Sequence, residues 1–264
     1  MYGGSGFPFM GGRGVYNTSS GIPYTDNYLR GVNMENLVPV LDKGYVRLVD
    51  HMGSDLTVVN TARTSFAKEK FILEPDDEKL INFLIKNKHD SCMRHNVFTF
   101  EVHAPLMVVR QWYKHAVAAS AWDDQNGWNE NSRRYITGGE EFYIPEHFFA
   151  APENKKQGAA GEVDEDLNQM YRQRLRLAQE QGARDYEEAL DAGIAPEQAR
   201  LFLHGYGLYV TFRWTASMNS VMNFFALRLD PHAQWEIRQY ANAMKPMVRE
   251  VVPFSFDAFM EHRV

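Results

Sequence analysis

An α+β fold is what this sequence predicts, on three observations. Stretches of strand-like and helix-like periodicity mix along the chain without the strict strand–helix alternation of a doubly wound sheet. Neither common Gly-rich phosphate loop interrupts them. With 264 residues, 44% of them hydrophobic, the chain has enough apolar surface to bury a sizeable core.

The elements follow in order. Residues 1–35, "MYGGSGFPFMGGRGVYNTSSGIPYTDNYLRGVNM" and onward, are rich in Gly, Ser, Tyr and Asn. Such a composition cannot bury enough to order itself, so it predicts an extension, disordered or laid across a neighbour, ahead of a single domain over 36–264. "GYVRLVDHMG" alternates as a strand does, and "LTVVNTARTSF" opens a second periodic segment. "PDDEKLINFLIKNKH" carries apolar residues at helical spacing, with Pro75 and an acidic pair in the first turn. "NVFTFEVHAPLMVVRQWYKHA" begins as a strand and turns helical after Pro105, the helix carrying Arg110, Gln111, Lys114 and His115. Residues 151–165 read as a polar loop. "LNQMYRQRLRLAQEQGARDYEEALDAG" reads as a long charged helix stopped by Gly193, and Pro196 starts the next. The apolar run from Ser220 to Val252 is long enough for two helices broken at Asp230–Pro231.

Charge and cysteine content exclude several classes. A formal charge of −6 argues against a protein that coats nucleic acid, because such binders displace counterions with a basic face. A small anion held by a few local arginines stays compatible. The single cysteine, Cys92, excludes an intrachain disulfide framework and any Cys-rich zinc site, and no metal is expected. It suits a reducing compartment such as the cytoplasm, with Cys92 read as a small buried hydrophobe. No apolar run reaches the length of a membrane span, and the start lacks the charged-then-apolar pattern of a signal peptide.

Two clusters could carry chemistry. On a helix, Gln111, Lys114 and His115 share one face, though a solvated face gives the same pattern; Trp112 and Tyr113 beside them read as buried. Arg228 sits between Leu227 and Leu229, where an unpaired guanidinium is expensive. Either it forms a buried ion pair with Asp230, or it aims at a ligand's carbonyl or developing negative charge. "NENSRRY", residues 129–135, adds a carboxylate, a hydroxyl and two guanidiniums.

These residues carry a resemblance. "RQWYKHAVAAS…NENSRRY" resembles the signature of the flavin-dependent thymidylate synthases, R-H-R-x-x-S-x-N-E-x-S-x-R-Y preceded by R-Q-W, and "SVMNFFALRLDPHAQWEIRQYA" is similar to their second signature. "TARTSF", "HDSCMRHNVFTFEVHAP" and "EEFYIP" support it, and together the likeness spans about residues 55–264. It implies a mixed or antiparallel sheet flanked by helices in a subunit that assembles as a homotetramer with shared active sites. It implies reductive methylation of dUMP to dTMP, with methylene-tetrahydrofolate as carbon donor, FAD as cofactor and NADPH as reductant. Two other outcomes of the same site are a dUMP hydroxymethylase, as would suit viral DNA modification, and an inactive flavin- or nucleotide-binding homologue.

The resemblance also implies roles. Gln111, Glu130, Ser132, Arg133, Arg134, Arg200 and Arg228 match nucleotide-site positions. Arg134 and the amides around Ser132 would meet the phosphate, Arg200 would close on the nucleotide from another subunit, and Arg228 would stabilise charge on the uracil carbonyl edge. Arg228 and Ser132 are the catalytic candidates. Ser65, His89, Ser91, Lys114, His115, Glu130, Asn223 and His232 match FAD-site positions. The chain departs from the pattern in four places. The family's R-H-R reads Lys114-His115-Ala116, and about eight extra residues, near 119–128, fall inside the signature as a lid or an altered folate wall. Arg94 replaces a glutamate, and Ser217 and Asn219 stand where the family has Asn and Arg. Arg94, Arg133 or Arg213 are the cations that could restore the missing charge.

Overall fold

The computed structural model describes residues 37–115, 127–130, 139–153 and 158–264, and every structural statement below is made of these. Contacts divide the chain into Met1–Asn33 and Met34–Val264. The first unit, and with it the expected N-terminal extension, lies outside the described residues.

Five antiparallel strands form one sheet: β1 (Leu37–Val40), β2 (Gly44–Met52), β3 (Val97–Pro105), β4 (Gly127–Glu130) and β5 (Tyr209–Ser217). Their spatial order is β1-β2-β3-β5-β4, so β3 is central and β5 bridges it to the short edge strand. Strand side chains point to opposite faces in alternation, and the sequence obeys this. Phe98, Phe100, Val102 and Ala104 of β3, with Val210, Phe212, Trp214 and Ala216 of β5, point into the core. Their neighbours Glu101, Arg47 and Arg213 form an ion-paired cluster on the opposite face, with both arginines on the one carboxylate. The sheet is thus antiparallel throughout, and the α+β expectation holds. β5 is the element that periodicity passed over, along with β1 and β4.

Helices cover the inner face. These are α1 (Asp55–Arg63), α2 (Pro75–Lys86), α3 (Leu106–Trp112), α4 (Glu165–Asp191), α5 (Pro196–Ala199), α6 (Met218–Arg228), α7 (Trp235–Val251) and α8 (Pro253–Arg263). Helix α2 begins as its sequence demands: Pro75 occupies the first turn, and Glu74 and Asp77 form a reciprocal capping box. Asp77, fully buried, also takes Arg63 and Lys70. Gly193 follows α4 with φ of +83°, a left-handed position that ends the helix. Ser217 caps α6 by accepting from the Ser220 amide at 3.3 Å. The break expected at Asp230–Pro231 separates α6 from α7. Helix α8 went unread in the sequence. Asp55 holds its start, accepting from the amides of Phe254 and Ser255 at 2.8 and 3.0 Å.

Two expectations need correction. Helix α3 ends at Trp112, so Lys114 and His115 stand beyond it rather than on its face. Tyr113 is exposed, not buried; only Trp112 is in the core, wedged against Phe224 and Trp214. Among the described residues no helix is long and apolar enough to cross a membrane, and no cluster of His, Cys, Asp or Glu could hold a metal ion. Cys92 is buried, as a small hydrophobe would be.

Candidate active site

The end of α3, the end of α6 and the start of α7 meet around a cleft of about 980 Å³. Gln111, Lys114, Arg228 and His232 all line it, together with Arg110 and Tyr206. Three guanidinium or ammonium groups face one carboxylate, Glu236, on this wall, so the cleft favours an anion. Four of the residues singled out in the sequence therefore do converge.

Arg228 is fixed from behind. It is the last residue of α6, where the helix dipole favours a cation, and its Nε donates to Nε2 of His115 at 3.1 Å. His115 is itself locked: the Trp214 indole donates to its carbonyl at 3.2 Å, and its ring stands edge-on to Phe224. Burial, then the charge of Arg228, pushes the His115 imidazole down to about 4. At neutral pH the ring is therefore uncharged and Nε2 can accept. Desolvation lowers the guanidinium of Arg228 as well. The ion pair with Asp230 does not form. Asp230 instead accepts from the amide and Nδ1 of His232 at 2.7 and 2.9 Å, which holds His232 at the cleft rim.

A second chain of contacts orients Gln111. Its amide nitrogen donates to Oε1 of Gln234, whose own nitrogen donates to Glu236 at 2.9 Å. The other oxygen of Glu236 accepts from the Tyr143 hydroxyl at 3.3 Å. Sequence reading assigned nothing to Gln234, Glu236 or Tyr206, although the "HAQWE" and "HGYG" segments were in view.

Other candidates lie elsewhere. Glu130 ends β4, and desolvation raises its carboxyl while a hydrogen bond from Trp128 and the charge of Arg200 pull it down. Glu130 and Arg200 are thus within electrostatic reach of each other. Arg200 is otherwise exposed, its Nε donating to the Glu197 carbonyl at 3.1 Å. Ser132, Arg133 and Arg134 fall outside the described residues. Ser65 and Ser91 are exposed on two tight 3-10 turns, Thr64–Phe66 and Asp90–His95, His89 is exposed just ahead of the second, and none of the three is among the residues of the cleft wall. Asn223 is exposed on α6.

The extra residues inside the signature are only partly a loop. Gly127 and Trp128 belong to β4, and Trp128 stacks on Phe212 with ring centroids 4.0 Å apart. That end is sheet rather than lid, and residues 116–126 lie outside the described residues. Of the cations suggested as compensation, Arg213 is committed to Glu101 at 3.2 Å, Arg94 is exposed on the Asp90–His95 turn with no ion pair among the described residues, and Arg133 lies outside them.

Comparison with known proteins places this geometry. Residues 47–254 match the family described as thymidylate synthase complementing protein. The flavin-dependent thymidylate synthase of Thermosipho africanus is 40% identical over 223 residues, covering 84% of this chain and 93% of that protein. That of Thermus thermophilus is 40% identical over 226 residues, covering 85% and 78%. A crystal structure of the UMP/dUMP methylase PolB from Streptomyces cacaoi, bound with 5-Br dUMP, matches with a TM-score of 0.72 at 29% identity, over 86% of this chain and 98% of that one. With an antiparallel sheet, an anion-favouring cleft and both signatures in place, this chain belongs to the flavin-dependent thymidylate synthase family.

Proposed function

We propose that this protein reductively methylates dUMP to dTMP, taking the carbon from methylene-tetrahydrofolate with FAD and NADPH as the reducing system. The observation that carries this reading is Arg228, held by a neutral histidine so that its remaining N–H groups face a cationic cleft shared with Gln111 and Lys114. A guanidinium so placed donates to a uracil carbonyl and stabilises negative charge on the ring as the carbon is transferred. It needs no reorganisation at that moment, because His115 has already set its direction.

The donor set of the cleft fits part of FAD. Lys114 suits a pyrophosphate as a point charge, and His232 presents a flat ring at the rim. When bound, the reduced flavin supplies the hydride. Glu130, Ser132, Arg133, Arg134 and Arg200 would hold the sugar and phosphate, with Ser132 beside the reacting nucleotide. Ser65, His89, Ser91 and Asn223 would complete the flavin site.

The homotetramer belongs to the same proposal. Phe66, Phe71 and Ile72 are 74%, 85% and 71% exposed, which a second copy of the chain would cover. Ser65 lies in the same segment, so one contact would both bury these side chains and enclose the flavin. The cytoplasm, with its reduced folates and nucleotides, suits this chemistry.

The test incubates purified protein with FAD, dUMP, methylene-tetrahydrofolate and NADPH and identifies the pyrimidine by mass. dTMP is the expected product. A hydroxymethyl product would replace the methylation reading, and unchanged dUMP with fully reduced flavin would sink both.

A further inference from the structure

We infer that Tyr143, Glu236 and Gln234 form an orienting relay that makes Gln111 present its carbonyl oxygen, and not its amide nitrogen, to the nucleobase. The inference rests on the uridylate reading above and names what selects that base. A carboxylate only accepts hydrogen bonds. Glu236 is 8% exposed in the first turn of α7, where the helix dipole favours negative charge. One of its oxygens is taken by the Tyr143 hydroxyl and the other by Gln234. Gln234 must therefore turn its nitrogen to Glu236 and its oxygen to Gln111. Gln111 must in turn donate, and its nitrogen meets both Gln234 and the Met107 carbonyl at 3.3 Å. The polarity is dictated twice over, by the chemistry of the last acceptor and not by how the amides happen to be drawn.

What remains is the Gln111 oxygen, which takes no hydrogen bond among the described residues on a wall of the cleft that also carries Arg228. It asks the ligand for an N–H. Uracil offers one at N3, between two carbonyls that suit Arg228; cytosine has a bare acceptor at N3 and would leave two lone pairs opposed. Sites built to meet one hydrogen-bonding pattern reject the reversed one strongly. Gln234 and Glu236 are thus positioning residues for base choice, acting through Gln111.

The test is equilibrium binding of dUMP and of dCMP to FAD-loaded protein, for wild type, Glu236→Gln and Gln234→Met. Gln at 236 can donate or accept, and Met at 234 does neither, so either change leaves only the 3.3 Å bond to the Met107 carbonyl to hold the Gln111 amide, which can then turn over. The wild type should prefer dUMP, and that preference should fall by roughly ten- to a hundredfold in both variants. dCMP should gain in absolute affinity, which general damage cannot produce. If the buried Glu236→Gln fails to fold, the half-buried Gln234→Met decides alone. Variants that bind flavin and keep the wild-type preference overturn the relay while leaving the uridylate reading intact. A wild type that binds neither nucleotide overturns the uridylate reading itself.

Discussion

The cleft beside α6 and the surface around Ser65, His89 and Ser91 make an instructive pair. In the cleft three of the four converging side chains have a second residue behind them: His115 behind Arg228, Gln234 behind Gln111, Asp230 behind His232. On the other surface the same kind of candidate stands exposed on short turns, with Phe66 and Phe71 turned to water beside it. One region has its side chains set from behind by residues of the same chain. The other has the side chains but not the walls, which under the proposed assembly a neighbouring copy would supply.

Arg228→Ala is the strongest way to probe the first region. Loss of a preorganised donor to developing charge should lower kcat by about 10²- to 10³-fold while flavin content stays near wild type. Equal loss of flavin would show that the guanidinium serves the cofactor, and the contrast between the regions would blur.

His115→Phe comes next, because it removes the support and keeps the ring. In the wild type His115 titrates near 4, below the 6.5 of an unfolded histidine, so the unfolded chain binds the extra proton first as pH drops. Its contribution is fully present above about pH 6.5 and is lost as pH falls toward 4, by about 3 kcal/mol in all. Chemical denaturation of both proteins across that window should give a shallower slope for the variant. Parallel curves would mean that another group governs acid sensitivity.

For the second region, Phe71→Asp should shift light scattering toward smaller species and cut flavin occupancy by roughly tenfold, since a charge cannot be buried there cheaply. Unaltered assembly with normal flavin would place the contact elsewhere. The smallest effect separates two arginines. Arg94→Ala should weaken FAD by roughly two- to fivefold, the scale of an exposed charge contact, while Arg213→Ala, bound to Glu101, should leave it unmoved. The reverse result would exchange their roles.

Much of this was legible in the sequence. The helix starts at Pro75 and Pro196, the stop at Gly193 and the break at Pro231 follow from local rules that need no partner. β5 was legible too, since Val210, Phe212, Trp214 and Ala216 alternate with Thr211, Arg213 and Thr215, although periodicity passed it over. The site divides the same way. Gln111 was marked out by the resemblance, whereas Arg228 declared itself by type and setting. The choice of His115 over Asp230 as the partner of Arg228 did not, because nearness along the chain favours the carboxylate while the folded α6 carries the guanidinium back toward residue 115. Nor could spacing connect Tyr143 with Glu236, which lie 93 positions apart.

The pairing of the edge strand sets a constraint on length. Trp128 faces Trp214 and Glu130 faces Phe212, and the polar stretch with the two adjacent arginines continues directly from that end. Trp128 and Glu130 lie two residues apart on one face of the strand, so adding or deleting a single residue between them would turn one of the two to the other face. Growth in this part of the chain is therefore tolerable ahead of Gly127, where all but the last two of the surplus residues fall in the sequence.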